Sequence, residues 1–467
     1  MEKFKPVKNE QLFLLPPSVE DFIPAGHLAR VINDVVETID VSIIESRYSF
    51  LGQKSYPPHL LLKLLFYGYS IGIRSGRRIA AACEQDTAFM YLASMYKPDF
   101  RTINDFRKNN TEFIQQSFVH IVQLCKGLGM AKAGILILDG TKLKANASAE
   151  RTKNKEGYEK WIERIDADIK NMLEEADRTD KEEDEQYGNS RGDELPKELH
   201  SKQKLKEKIR QVIEQLTGNK ERINLTDNEA KYIKNKGSID LNYNCQAAIT
   251  EDGIIVGAYT SNNCSDRVET IKSVNTAEQN TADRYAAILA DSGYATFDNF
   301  EELHNRNKTI FIPDQQRNTE TEKEQNPYHR NHFVYNKEKD CFTCPQHKEL
   351  PFYTYSVHKR TKQKSRVYKC KDCRTCDKQT LCTKGIYRQI HVEERESIRQ
   401  QIRERLNSKE GKSIYLKRMR IESIFGNIKH NLNYIHLYMK GIIKTTAEWQ
   451  LICIGHNLRK IHQLKID

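Results

Sequence analysis

The sequence predicts an α/β protein in which a helical opening segment precedes a core of strands and helices that is interrupted twice. Three observations lead there. The apolar runs GILILDG and AAILAD are too short for helices and each closes on an aspartate, Asp139 and Asp291. IDLNYNCQAAIT and IIVGAYT flank the turn triplet Glu251, Asp252 and Gly253, which reads as a hairpin. Long charged stretches carry apolar residues at helical spacing.

In chain order, residues 1–130 read as a helical domain. Pro57 and Pro58 suit a first turn, and LLLKLLFYGYSIGI is apolar over much of its circumference. Thr102 and Asp105 form a T-x-x-D capping pattern at the start of a helix carrying Arg107 and Lys108. Arg77 and Arg78, in RSGRR just before another helix, join Arg107 as candidates for DNA contact. The same arginines are equally suited to capping helices or pairing with acidic neighbours.

Residues 131–148 form the first part of the core, where GILILDG fits a strand buried on both faces, with Asp139 at its end. Residues 149–235 read as an inserted helical arm. Apolar positions at Tyr158, Trp161, Ile162, Ile165, Ile169, Met172 and Leu173, then at Leu205, Ile209, Val212, Ile213 and Leu216, have near-heptad spacing on two antiparallel helices. The acidic stretch EEADRTDKEEDEQYGNSRGDE reads as the connection between them. The arm suits a dimer contact, a DNA clamp or a solvated hairpin.

Residues 236–315 continue the core through the hairpin, a helix near 267–280, the strand ending at Asp291, the helix FDNFEELHNR and the strand KTIFIP. Residues 316–400 hold six of the eleven cysteines, and 401–467 return to the core. The cysteine spacing, Cys341-x2-Cys344 followed by Cys370-x2-Cys373-x2-Cys376-x5-Cys382, offers more thiols than the four of a tetrahedral zinc site. Structural zinc holding an insertion with little apolar core of its own is the expectation. The basic HKRTKQKSRVYKCK beside the cysteines suits either DNA contact or solvent.

At 467 residues the chain exceeds one ordinary core. Lys and Arg number 75 against 64 Asp and Glu, a formal charge of +11 that favours a polyanionic partner. No apolar run reaches the roughly 18 residues of a membrane span, and MEKFKPVKNEQLFLLPP lacks the apolar core and cleavage site of a signal peptide. A cytoplasmic location without membrane partners is therefore expected.

The chemistry concentrates near the C-terminus. Tyr415, Arg418, Glu422 and Lys429 follow Y-x2-R-x3-E-x6-K. At about 100° per residue on a helix, these offsets place all four side chains within a sector of about 60°, so they share one face. A carboxylate flanked by cations suits metal ions held beside phosphates.

With the two strand-end aspartates, this pattern resembles the DDE transposases of bacterial insertion sequences. Within them, it is similar to the YREK-signature group that has a helical N-terminal domain and a cysteine-bearing insertion. The resemblance also rests on YPPHLLLKLLFYGYSIGIRSGRR (56–78), LDGTKLKANAS (138–148), YNCQAAI (243–249), ADSGYA (290–295) and RIESIFGNIKHN (420–431). It implies an RNase H-like catalytic core, which the succession of strands and helices also matches. It implies Asp139, Asp291 and Glu422, separated by 152 and 131 residues, as a triad holding two Mg²⁺ ions, with Mn²⁺ as a substitute. Tyr415, Arg418 and Lys429 would contact phosphates near the cleaved end. For zinc, the resemblance suggests Cys344, Cys373, Cys376 and Cys382, with a Cys341, Cys344, Cys373 and Cys376 ribbon as the alternative.

The implied function is cleavage of double-stranded DNA at element ends and transfer of the 3′-hydroxyls to target DNA by a homodimer. A catalytically silent DNA-binding derivative and an RNase H-like nuclease without strand transfer are the alternatives. Lys142, Lys144, Ser292, Gly293 and Tyr294 read as loops shaping the site. Asp266 reads as a helix cap or orienting residue rather than a further metal ligand.

Overall fold

Helices built from apolar residues at i, i+3 and i+4 dominate the first quarter of the chain: Leu28–Glu37, Pro58–Ser70, Gly76–Gln85, Thr87–Leu92, Phe100–Asn109 and Thr111–Gly127. The computed structural model of the protein describes residues 18–48, 54–187, 197–218, 221–235, 237–314, 326–357, 364–393 and 395–466. The N-terminal MEKFKPVKNEQLFLLPP, part of the acidic connection (188–194) and the start of the basic stretch (358–363) lie outside the described residues.

Pro58–Ser70 begins on a proline that needs no intrahelical donor, and it is buried nearly all round. It packs against Leu28–Glu37 on one side and the C-terminal helix Ile442–Ile466 on the other. The next helical start differs from the T-x-x-D reading. The helix begins at Phe100, and the cap is Asp99, whose Oδ1 accepts from the N–H groups of Arg101 (2.6 Å) and Thr102 (3.1 Å).

The central sheet is assembled from β1 (Ile135–Lys144), after which the short pair β2 (Thr152–Lys153) and β3 (Ile223–Asn224) sits at the base of the arm. Then come β4 (Lys231–Asn235), β5 (Ser238–Thr250), β6 (Ile255–Ser261), β7 (Ala287–Leu289) and β8 (Thr309–Phe311). The strand order is β4-β5-β1-β7-β8, with β6 also paired to β5. β1 pairs antiparallel with β5 and parallel with β7, and β7 runs parallel to β8. β5 and β6 form the expected hairpin, where Gly253 takes the positive φ (+82°) that the turn requires.

One expectation is corrected here. β1 does not end at Asp139 but continues to Lys144, because residues 139–144 pair with Asn242–Ala247 of β5. Lys142 and Lys144 therefore lie on a strand and not on a loop. On the other flank the β1–β7 ladder ends with Ile137 opposite Leu289, which frees that side of Asp139.

The first insertion is a helical hairpin. Its first helix spans Lys155–Tyr187, so much of the acidic stretch is helical and not a connection. The second helix, Lys197–Gln215, runs antiparallel to it, with Lys206 paired to Asp166 and Lys202 to Asp168 (2.9 Å). Tyr158, Ile165, Ile209 and Val212 form a core separate from the main one, whereas Leu173 is exposed.

The second insertion is a five-stranded antiparallel sheet of β9 (Val334–Asn336), β10 (Cys341–Thr343), β11 (Glu349–Val357), β12 (Lys364–Lys369) and β13 (Gln389–Glu393). Contrary to expectation it has an apolar core of its own, built on Phe333, Leu350, Tyr368 and Ile390. The main core runs without a break from Ile23 through the N-terminal helices and the sheet to Ile461. Ile442–Ile466 joins the two parts, packing on Pro58–Ser70, Thr111–Gly127 and β6. No helix among the described residues is long and apolar enough to cross a membrane.

Candidate active site

Parallel pairing of β1 with β7 brings Asp139 and Asp291 together, each two residues beyond the matched pair Ile137 and Leu289. Asp291 begins a short 3-10 turn and its Oδ1 accepts from Gly293 N–H (2.7 Å). Asp139 Oδ1 accepts from Gly140 N–H (2.8 Å). Burial pushes the Asp139 carboxyl up to about 7, and the neighbouring Asp291 charge adds to it, while Gly140 N–H and Arg418 pull the other way.

The third carboxylate arrives from a helix packed against β1. Glu422 is half-exposed and ion-paired with Arg418, and the Arg418 guanidinium lies 5.8 Å from the centre of the Tyr415 ring. Arg418, the partner of Glu422, also lies near enough to Asp139 for the two charges to act on each other. Lys429 is half-buried and acts, with Lys142, on the buried Cys245 thiol opposite Thr141 of β1.

These four signature residues do not share one regular helix. Tyr415 lies on Lys409–Leu416, Glu422 on Met419–Gly426, and Lys429 on a π-helical segment, Asn427–Asn431. A turn at Lys417 and Arg418 separates the first two. The 100° periodicity therefore fails across the break and the wider π turn. Arg418 still reaches Glu422 one turn on, and the Tyr415 ring lies on its other side. Lys417 is paired with Glu251 (2.5 Å) and Arg420 donates to the Glu251 carbonyl, fastening the helix to the β5–β6 turn.

Beneath the aspartates lies a polar network that the sequence did not reveal. Lys142 Nζ donates to both Asp266 oxygens (3.0 Å each) and to Asn244 Oδ1 (2.9 Å). Asp266 Oδ1 also accepts from Asn244 Nδ2 and Gln246 Nε2 (2.7 Å each), and buried Tyr294 donates to Gln246 Oε1 (2.6 Å). Gly140 sits against this network so closely that a Cβ there would collide with Gln246 Nε2 and stand 2.8 Å from Asp266 Oδ1. The groups next to Asp139 and Asp291 are thus tied to a single set of hydrogen bonds. Asp266 accordingly orients neighbours, while the cap of its turn is Ser265. The available sequence signal was the polar alternation of Asn242, Asn244 and Gln246 on one face of β5.

The arginine candidates divide. Arg77 and Arg78 are exposed on the first turn of Gly76–Gln85, with Arg77 4.9 Å from the Phe100 ring centre. Arg107 is a correction. It is buried, and its guanidinium donates to Tyr69 Oη (2.8 Å), the Arg74 carbonyl (3.0 Å) and Asn104 Oδ1 (3.1 Å). Its donors serve the interior and are not offered to DNA.

In the second insertion, Cys344, Cys370, Cys373, Cys376 and Cys382 line one small cavity, whereas Cys341 is buried in β10 away from that lining. Lys348 N–H points at Cys344 Sγ (3.3 Å) and Arg388 N–H at Cys373 Sγ (3.4 Å). Burial raises the Cys382 thiol above its usual value; Arg388 opposes that, and Cys373, Cys344 and Cys376 add to it. Among the described residues, no group of three or more His, Cys, Asp or Glu side chains is drawn together in a form that could hold a metal ion.

Residues 17–109 match the family described as Transposase domain (DUF772), and residues 343–462 match the family described as Transposase DDE domain. The second match spans Cys344 to Cys382 and all four signature residues, while Asp139 and Asp291 lie outside both. No curated protein and no solved structure matches the chain. The two family matches support an insertion-sequence transposase of the DDE type, and hence a nucleic-acid-cleaving enzyme with a DNA substrate.

Proposed function

We propose that this protein cuts DNA at the ends of an insertion sequence and joins the resulting 3′-hydroxyls to target DNA, using an RNase H-like core built on β1, β5, β6, β7 and β8. One observation carries the reading. The β1–β7 register leads both strands to their aspartates, Asp139 feels the charges of Asp291 and of Arg418, the ion-pair partner of Glu422, and the chain matches transposase families in two separate segments.

The donor set suits Mg²⁺. It consists of carboxylate oxygens alone, and Asp139 is held up to about 7 by burial and a neighbouring negative charge, the condition that a bound dication relieves. Asp139, Asp291 and Glu422 would hold the ions, with Glu422 released from Arg418. Bound divalent ions supply an activated attacking oxygen and stabilisation of the leaving 3′-oxygen.

The chain's own residues supply the rest. Arg418, once parted from Glu422, offers its guanidinium to a phosphate at the carboxylates, and Tyr415 beside it and Lys429 further along the signature extend the grip. The Lys142, Asp266 and Gln246 network holds the backbone next to Asp139 and, through Tyr294, the turn after Asp291. In-line displacement needs such positioning more than covalent chemistry.

In the second insertion, Cys344, Cys373, Cys376 and Cys382 line one cavity and two of their sulfurs accept backbone N–H groups as thiolates do, so they would close around a structural zinc although they are not drawn together here. That ion would brace the insertion and take no part in DNA chemistry.

The test uses purified protein, Mg²⁺ and a DNA fragment spanning the gene and its flanks, alongside Glu422→Gln. Cuts at terminal repeats followed by joined products, absent in the variant although it still binds DNA, are expected. Equal cleavage by Glu422→Gln would sink the triad, and cutting without joining would leave a nuclease.

A further inference from the structure

The helix Met419–Gly426 has a second polar flank, turned away from Glu422. There Arg420, Ser423 and Asn427 face Arg459 and Lys460 of the C-terminal helix and Asp252 of the β5–β6 turn across an open cavity of about 560 Å³. The charges on this wall are unbalanced. Arg420 donates to the Glu251 carbonyl, a neutral acceptor. With the Asn427 amide turned to satisfy both groups, its oxygen accepts from Arg459 Nη2 (2.9 Å), again a neutral partner. Arg459 Nε is buried without an acceptor.

Among the described residues, none of Arg420, Arg459 and Lys460 is in an ion pair, whereas the neighbouring Lys417 and Arg418 are held by Glu251 and Glu422. The cavity floor feels the excess. His456, hydrogen-bonded to the Gly253 carbonyl (2.9 Å), is pushed down to about 4, first by burial and then by Arg459 and Lys460.

Three cations against the single carboxylate of Asp252, with their geometry satisfied by neutral oxygens and their charge left over, select an anion. The space exceeds one phosphate and suits a length of sugar-phosphate chain. Arg420 and Ser423 share the helix of Glu422, and a helix is about 10 Å thick, well within the width of a duplex. We propose that this cavity is a second phosphate-binding site that grips the DNA backbone behind the catalytic helix. The proposal rests on the reading of the protein as a DNA-cutting enzyme. A free polyphosphate shares the chemistry, and the continuity with the catalytic helix favours DNA.

The test is fluorescence anisotropy of the full chain with a labelled duplex from the element end, across salt from about 50 to 200 mM. Arg420→Glu and Lys460→Glu are compared with Arg284→Glu, an equal charge change at an exposed position just before β7. Circular dichroism confirms that each variant is folded. Each cavity variant is expected to bind at least about tenfold more weakly than the parent, with the log–log salt slope reduced by about one. Arg284→Glu should lose far less.

Unchanged affinity and slope in both cavity variants would overturn the site, as would an equal loss in Arg284→Glu. Duplex binding retained while inorganic triphosphate binding is lost would overturn the DNA assignment in favour of a free ligand. A parent protein that binds no duplex would overturn the transposase reading as well, which separates the two failures.

Discussion

Replacing Arg107 with methionine should destabilise the protein without acting through DNA. The side chain is buried and donates to Tyr69 Oη, the Arg74 carbonyl and Asn104 Oδ1. Hydrogen bonds from a charged donor each contribute about 1.5–3 kcal/mol, and an acceptor stranded in the interior costs about 1–3 kcal/mol. Removing the charge also relieves its desolvation and the unpartnered Nε, so the sum is offset. A net loss of about 3 kcal/mol results.

Urea unfolding followed by fluorescence measures this directly, with Arg77→Ala and Arg78→Ala as surface controls expected within about 0.5 kcal/mol of the parent. DNA binding by Arg107→Met, measured where the variant remains folded, should match the parent. A variant as stable as the parent that loses DNA affinity would refute the burial argument and return Arg107 to the DNA surface.

Three further outcomes follow from the geometry. The His456 imidazole has a folded value near 4 against an ordinary value near 6.5, so the unfolded chain binds the extra proton first. Its contribution is complete above about pH 6.5 and is lost as pH falls toward 4, by up to about 3 kcal/mol. Urea titrations at several pH values should show a shallower acid dependence in His456→Gln. Gly140→Ala should slow cleavage by about tenfold or more, because the new Cβ displaces Gln246 and Asp266 from beside Asp139; parental rates in a folded variant would show that the network does not position the aspartate. Cys373→Ser should lose the insertion's zinc, read as metal content by mass spectrometry, whereas a zinc-free parent would eliminate the zinc assignment.

Elements whose signals are local are legible in the amino-acid sequence. The apolar run of β7, the β5–β6 hairpin with its Gly253 turn and the Pro58 helix start each depend on residues within a few positions of one another. Signals that depend on a distant partner are not. Residues 141–144 carry two lysines just beyond the apolar run and four residues of alternation are too few to mark a strand, yet β5 extends β1 through them by supplying backbone partners. The Thr102 cap yields to Asp99, because both residue types cap well and only the chain path decides between them. Arg107 reads as a surface cation, and its burial depends on Tyr69 and on the Arg74 backbone, more than thirty residues away.

The sequence by itself determined an α/β chain with two insertions, the residue types of a carboxylate site and the cysteine spacing, because periodicity, turn chemistry and donor type are carried by short segments. Tertiary structure alone decided that Asp139 and Asp291 are neighbours, since a parallel β1–β7 pair joins strands 152 residues apart at their aspartates. It also decided that the signature residues lie on a broken helix, and that Arg420, Arg459 and Lys460 share one cavity. Helical periodicity predicts faces only while the helix continues, and charge accumulates in a cavity only where packing brings separate elements together.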